Sequence, residues 1–191
     1  MKVLGIVGSP RKDGNTQIMI EEVLAAAKAA GAETDIYLVH DKNIHGCDGC
    51  GACAQTGGVC KIKDDMQALY QKMEWADAIA FGSPVYFNYV TAQAKVVIDR
   101  TFCYLFSHKL AGKVAAPVLS LRRIGAGQTR VQVQGWFITQ GMVALRGAIG
   151  YGPGKGEVRK GFGGGIGTTA MEECQATGKE IVVWLKKLGV K

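Results

Sequence analysis

Lys2-Val3-Leu4-Gly5-Ile6-Val7-Gly8-Ser9-Pro10-Arg11-Lys12-Asp13-Gly14-Asn15-Thr16 runs from an unbroken apolar segment into a loop of glycine, hydroxyl and charge. The apolar part, residues 2–8, has the pattern of a parallel strand covered on both faces. At the strand's carboxyl end the loop opens a helix reaching about Ala30. Its hydroxyls at Ser9 and Thr16, the Asn15 amide and the free N–H groups of the helix N-terminus are suited to an anion. Arg11 adds a forked, charge-assisted contact. An ordinary capped turn, with Asn15 or Thr16 as N-cap, would give the same residues a structural task only. The loop is neither GxGxxG nor GxxxxGK[ST], which argues against a dinucleotide fingerprint or a P-loop and leaves a mononucleotide as the natural ligand.

Outward from this unit the chain repeats strand and helix. Glu33 to Val39 is a second strand, and a helix is expected from about Asp65 to Trp75. Asp77 to Gly82 forms a third strand, ending in the aromatic loop Ser83-Pro84-Val85-Tyr86-Phe87-Asn88-Tyr89. Such a loop suits a flat heterocycle, its backbone addressing the ring edge; taken singly, Tyr86 and Phe87 also read as plain hydrophobic contacts. A helix over 91–106 leads to a fourth strand, Lys113 to Leu121. The loop Arg122-Arg123-Ile124-Gly125-Ala126-Gly127-Gln128 comes next, with glycines that let backbone approach a ligand and two arginines that suit a reduced ring, an acidic partner or plain solvent. A helix near 130–140, a short fifth strand from Met142 to Ala148, a flexible glycine-rich connection over 147–167 and a last helix over 168–188 complete the chain. No internal repeat is visible.

Five strands alternating with helices call for a doubly wound α/β sheet. In the flavodoxin-like order 2-1-3-4-5 a ligand sits between the carboxyl ends of strands 1 and 3, where the order reverses. The expected organisation is a single domain, 1–191, with residues 44–63 as a loop inserted after strand 2 on the same rim.

That loop holds Cys47-x2-Cys50-x2-Cys53-x6-Cys60, four of the chain's six cysteines, with glycines 46, 49, 51, 57 and 58 between or beside them. The CxxCxxC core with a fourth cysteine nearby matches an iron–sulfur cubane, whose corners need four thiolates. Structural zinc prefers two well-separated knuckles, and this motif is compressed. A disulfide fits an oxidising compartment, whereas nothing here reads as secreted. The cluster is the leading reading, with zinc and disulfide behind it. Cys103 and Cys174 sit in helical patterns and read as small buried hydrophobes. His40, His45 and His108 need no catalytic role, and His45, close to Cys47, reads as a neighbour of the ligands rather than one of them.

The chain has 191 residues, 48% of them hydrophobic, enough for a sizeable core. The first apolar run is too short for a signal peptide and is succeeded at once by Arg11, Lys12 and Asp13. No stretch approaches membrane-spanning length. A cytoplasmic protein is expected. Lys plus Arg number 23 against 16 Asp plus Glu, a net charge of +7, which favours acidic partners. The positive residues are dispersed, so nucleic acid is not the expected partner.

Taken together, Gly8-Ser9-Pro10-Arg11 with Gly14-Asn15-Thr16, the compact Cys47/Cys50/Cys53/Cys60 motif, Ser83-Pro84-Val85-Tyr86 and the 122–128 loop resemble the iron–sulfur flavoprotein family, within the wider NADPH-dependent FMN reductase group. The four-cysteine motif is the specific part of the match. The resemblance implies FMN and a [4Fe-4S] cluster in each subunit, homodimers or homotetramers, and electron transfer from ferredoxin or a similar acidic carrier to a small acceptor, dioxygen or peroxide. It implies that Ser9, Arg11, Asn15 and Thr16, with Gln17 beside them, hold the phosphate. Pro84, Val85, Tyr86, Phe87 and Asn88 would hold the isoalloxazine, and Arg122, Gly125, Gly127 and Gln128 its far side. The cysteines would hold the cluster. Ala126 departs from the glycine expected there. No acid/base pair is evident, as fits a protein whose cofactors carry the chemistry. An NAD(P)H-dependent FMN or quinone reductase with a structural zinc loop is the alternative enzyme, and a binding module sensing redox state through disulfides is the non-enzymatic one.

Overall fold

A computed structural model of the chain describes residues 1–190. β1 (Lys2–Val7) leads into α1 (Asn15–Ala29), β2 (Glu33–Leu38), the four-residue α2 (Ala52–Gln55) inside the cysteine loop, and α3 (Met66–Trp75). Then come β3 (Ala78–Tyr86), β4 (Tyr89–Val90), α4 (Ala92–Arg100), a 3-10 turn at Thr101–Leu105, β5 (Val114–Leu121) and α5 (Ala126–Thr139). The chain continues through β6 (Val143–Ala144), β7 (Ala148–Tyr151), a 3-10 turn at Glu157–Lys160 and α6 (Ala170–Lys187).

Strands lie in the order β2-β1-β3-β5-β6, with β7 also beside β5 and β4 folded back on β3. All pairings except β3 with β4 are parallel. Counting β6 and β7 as two pieces of one strand recovers the expected order 2-1-3-4-5. The split has a cause in β5. Lys113 O and Ala115 O accept from Val143 N and Leu145 N, so by alternation Pro117 faces the same neighbour with no N–H to donate. There the fifth strand bulges, and Gly147, at φ +72°, takes a place where a Cβ would collide with Pro117 O.

Both sheet faces are covered. Val3 and Val7 point to the side of α1 and α6, packing with Ile20, Val23, Ile181 and Cys174. Leu4 and Ile6 point the other way, into a core with Phe81 of β3 and with Met66, Leu69, Val97 and Phe137 from α3, α4 and α5. Burial on both faces is why β1 reads as a continuous apolar run rather than an alternating one. Thr169 starts α6 with a full capping box: its Oγ1 accepts from Glu172 N at 3.2 Å, and Glu172 Oε2 accepts from Thr169 N at 2.8 Å. Cys103 and Cys174 are buried, as their helical pattern suggested.

Several boundaries depart from expectation. Residues 83–86 continue β3 instead of forming a loop, in register with β5 as far as Pro84 opposite Ser120. The chain then reverses through Phe87 and Asn88, both at positive φ, which is the turn a right-twisted hairpin favours. The helix expected over 91–106 ends at Arg100 and tightens into a 3-10 turn, where the Thr101 hydroxyl donates to the Ile98 carbonyl at 2.6 Å. α5 begins at Ala126, four residues early, its N-cap Gly125 being left-handed. The segment 147–167 is not a flexible connection. It carries β7, a 3-10 turn with Val158 fully buried, and bridges from Gly150 to Gly163 and from Phe162 to Thr169. Gly150, Gly152, Gly161 and Gly163 sit where an added Cβ would meet other atoms within 3 Å, so these glycines permit close packing there. No helix among the described residues is long and apolar enough to cross a membrane.

Candidate functional site

The carboxyl ends of β1, β3, β5 and β7 surround one cleft of about 770 Å³, open to solvent. From the first loop come Ser9, Arg11, Gly14, Asn15 and Thr16; from β3, Pro84, Val85 and Tyr86; from β5 and just beyond it, Ser120, Leu121 and Arg122. Gly152, Pro153, Gly154 and Lys155 close the remaining side. Among the described residues, three cations, Arg11, Arg122 and Lys155, line the cleft and no carboxylate does, so its walls suit an anion.

Local hydrogen bonds fix the first loop. Ser9 Oγ accepts from Arg11 N at 3.1 Å, which curls the backbone over the strand end. Gly14 is the N-cap of α1, no side chain caps the helix, and its first turn carries no acidic residue. The N–H groups of that turn are therefore left for a ligand's oxygens. Thr16 Oγ1 and Ser120 Oγ lie 2.7 Å apart, both buried, joining the first loop to β5 across the cleft floor.

Asn15 sits in the cleft wall with its amide fully engaged. Its Nδ2 donates to Gly152 O at 3.0 Å and Gly154 O at 2.9 Å, and its Oδ1 accepts from Gly156 N at 2.8 Å. The side chain thus straps residues 152–156 onto the loop and sets Lys155 at the cleft. Gln17 lies outside: its Oε1 accepts from Asp13 N and its Nε2 donates to Glu21, each at 2.8 Å. Phe87 and Asn88 occupy the hairpin tip, Phe87 fully exposed, and with Val85, Arg123 and Ile124 they line a shallow hollow next to the cleft. Gly125 lies beneath Asn88, where an added Cβ would stand 2.5 Å from Asn88 Oδ1. Gly127 and Gln128 fall in the first turn of α5 and do not line the cleft.

Sequence reading missed Ser120 and the strap 152–155. Gly152-Pro153-Gly154-Lys155 carried a signal, a tight-turn tetrad ending in a cation just past a strand, hidden within a longer run of glycines.

Cys47, Cys50, Cys53 and Cys60 line a single second cavity. All are free thiols; Cys47 and Cys50 are exposed, Cys53 and Cys60 partly so. Gly49, Gly51, Gly57 and Gly58 adopt positive φ in turning the chain around them. No three His, Cys, Asp or Glu side chains among the described residues are grouped closely enough to hold a metal ion. Arg100, Phe102 and Cys103 form part of the wall, and burial pushes the Cys103 thiol above its ordinary pKa. Asp48 Oδ1 accepts from Cys50 N at 3.2 Å, and its Oδ2 pairs with Lys61 at 3.4 Å. His45 is exposed and does not line the cavity.

The NADPH-dependent FMN reductase family model matches residues 1–154. An iron–sulfur flavoprotein of Methanocaldococcus jannaschii is 38% identical over 147 residues, covering 76% of each chain. Another, of Archaeoglobus fulgidus, is 36% identical over 163 residues, 83% of this chain and 72% of that one. An archaeal flavodoxin structure superposes with a TM-score of 0.63 at 16% identity, over 97% of this chain and 99% of that one, which shows the fold to be flavodoxin-like.

Proposed function

The chain belongs to the NADPH-dependent FMN reductase family and, within it, to the iron–sulfur flavoproteins, and from that premise we propose that this flavoprotein oxidoreductase binds FMN in the cationic cleft and a [4Fe-4S] cluster in the cysteine cavity. Its task is to take electrons from ferredoxin or a similar acidic carrier and pass them to a small acceptor, dioxygen or peroxide. The observation that carries the reading is that all four motif cysteines line one cavity, in a chain that also has a cation-lined cleft at its strand ends. Bound together, flavin and cluster supply exchange between one-electron and two-electron steps.

The residues divide the remaining work. Ser9, Arg11, Thr16 and the first N–H groups of α1 hold the phosphate, joined by Lys155 from the strap. Asn15 acts through that strap, and Gln17 through Asp13 behind the loop. Pro84, Val85 and Tyr86 flank the isoalloxazine, with Phe87 and Asn88 shielding its outer edge. Arg122 faces the ring system, and Gly125, Gly127 and Gln128 shape the backbone behind it. A net charge of +7 steers an acidic carrier toward the protein. A cytoplasmic homodimer or homotetramer completes the reading.

Cys50→Ala tests it. Anaerobically purified variant should lose iron and its broad visible absorption while keeping flavin; unchanged iron content would remove the cluster assignment. Electron-transfer rates from a reduced acidic carrier should fall as salt rises, and a rate indifferent to ionic strength would contradict carrier docking.

A further inference from the structure

The cysteine loop closes on one buried ion pair that sequence reading did not single out. Arg100, the last residue of α4, has a side chain 0% exposed, and that of Asp64 is 1% exposed. Nη1 donates to Asp64 Oδ2 at 2.6 Å and Nη2 to Oδ1 at 3.2 Å, a forked pair. Nη1 also donates to His45 O at 2.8 Å, while Asp64 Oδ2 accepts from His45 N at 2.9 Å. Nη2 reaches Ile62 O at 3.5 Å. The pair therefore grips the chain two residues before Cys47 and again two residues after Cys60. Asp64 Oδ1 accepts in addition from Met66 N at 3.0 Å, tying the loop's exit to the start of α3.

Arg100 also forms part of the wall of the cavity lined by the four cysteines. Its Nε is buried and has no partner among the described residues, although both terminal nitrogens are engaged. Leaving such a donor unsatisfied is costly, and more so on a charged group. A buried cation with an unused N–H, in the wall of a cavity of thiols, fits an anionic occupant.

We propose that Arg100 is a positioning residue of the cysteine centre: it closes the loop around the cavity and offers its remaining N–H to the anionic, thiolate-bound group held there, an inference that rests on the cluster reading. Hydrogen bonds and charge at the sulfurs set a cluster's potential. A donor from Arg100 favours the more negative, reduced state.

The test compares wild type, Arg100→Lys and the double variant Arg100→Met with Asp64→Asn, purified anaerobically. The double variant avoids leaving a carboxylate buried without its cation. Iron, sulfide and flavin are quantified, and the midpoint potential is measured by redox titration monitored by electron paramagnetic resonance. Flavin content reports that the fold is intact. The double variant should keep its flavin, lose iron several-fold faster to a chelator, and show a midpoint more negative by a tenfold change in equilibrium, about 59 mV for one electron. Arg100→Lys should keep the iron and shift in the same direction by less. Unchanged potential in the iron that remains overturns the donor role, and unchanged potential together with unchanged iron release overturns the whole inference. Wild-type protein without iron and sulfide would instead sink the cluster reading, and this inference with it.

Discussion

The cationic cleft and the cysteine cavity are built in opposite ways. Four strand ends and two core-packed loops converge on the cleft, and Asn15 and the Thr16–Ser120 contact lock its parts across the sheet. The cysteine cavity is an excursion between β2 and α3 with no sheet beneath its tip. Its own hydrogen bonds are local, such as those of Thr56 to Ala52 O and Val59 O, and its base rests on Arg100 and Asp64. The cleft inherits its shape from the fold, whereas the cysteine loop owes its shape to a few buried charges and to whatever its sulfurs hold.

The largest effect should come from breaking the base of the loop. Asp64→Ala leaves the Arg100 guanidinium buried and unpaired, and removing one member of such a pair typically destabilises by about 3–5 kcal/mol. Thermal unfolding of the iron-free protein measures this. A loss below about 1 kcal/mol, the range of exposed pairs, would show that the loop is held elsewhere.

The cleft should respond more selectively. Arg11→Ala removes an exposed cation from the phosphate loop, and a hydrogen bond to a charged group contributes roughly 1.5–3 kcal/mol. FMN affinity should fall about ten- to a hundredfold with little change in melting temperature, as titration of flavin into the apoprotein would reveal. Asn15→Ala probes the same wall indirectly. It strands Gly152 O, Gly154 O and Gly156 N and frees Lys155, so a loss of about 1–2 kcal/mol in stability should accompany weaker flavin binding. Iron content should be unchanged in both variants, since neither residue touches the cysteine loop.

The smallest effect concerns the segment behind the strap. Glu173 accepts from Ile149 N, Gly165 N and Thr168 Oγ1 and pairs with Arg146. Burial works to raise its pKa, but the N–H groups of Ile149, Gly164 and Gly165 and the Arg146 guanidinium overcome it and hold the carboxyl below the ordinary glutamate value. A carboxylate depressed in the folded state stabilises fully above its unfolded pKa and loses that contribution as pH falls through the folded value. The gap in melting temperature between wild type and Glu173→Gln should be constant near neutrality and narrow below about pH 4.5. A gap that does not vary with pH would show that Glu173 acts through packing.

The two regions also differed in how far the sequence revealed them. β1, α1, β3 and β5 were legible because continuous apolar runs and turn residues mark buried parallel strands, and the switch-point rule then placed the cleft. The cysteines declared themselves by spacing. Less visible were features that depend on distant partners. Phe87 at positive φ is not a turn residue by propensity; β3, β5 and the hairpin together put it there. Lys155 vanished into a glycine-rich run that reads as loose until Asn15, far away in sequence, is seen holding it. Arg100 falls inside the helix expected over 91–106, where nothing in the local sequence marks it as buried, and only the return of residues 45 and 62–64 covers it.

Anaerobic purification, with iron, sulfide, zinc and flavin quantified on one sample, decides whether both regions carry the cofactors assigned to them. About four irons with matching sulfide and one FMN per chain is the expected stoichiometry for a four-thiolate cubane beside a single mononucleotide cleft. Zinc with flavin and no sulfide would contradict it and leave a flavin reductase whose cysteine loop is stapled by a structural metal.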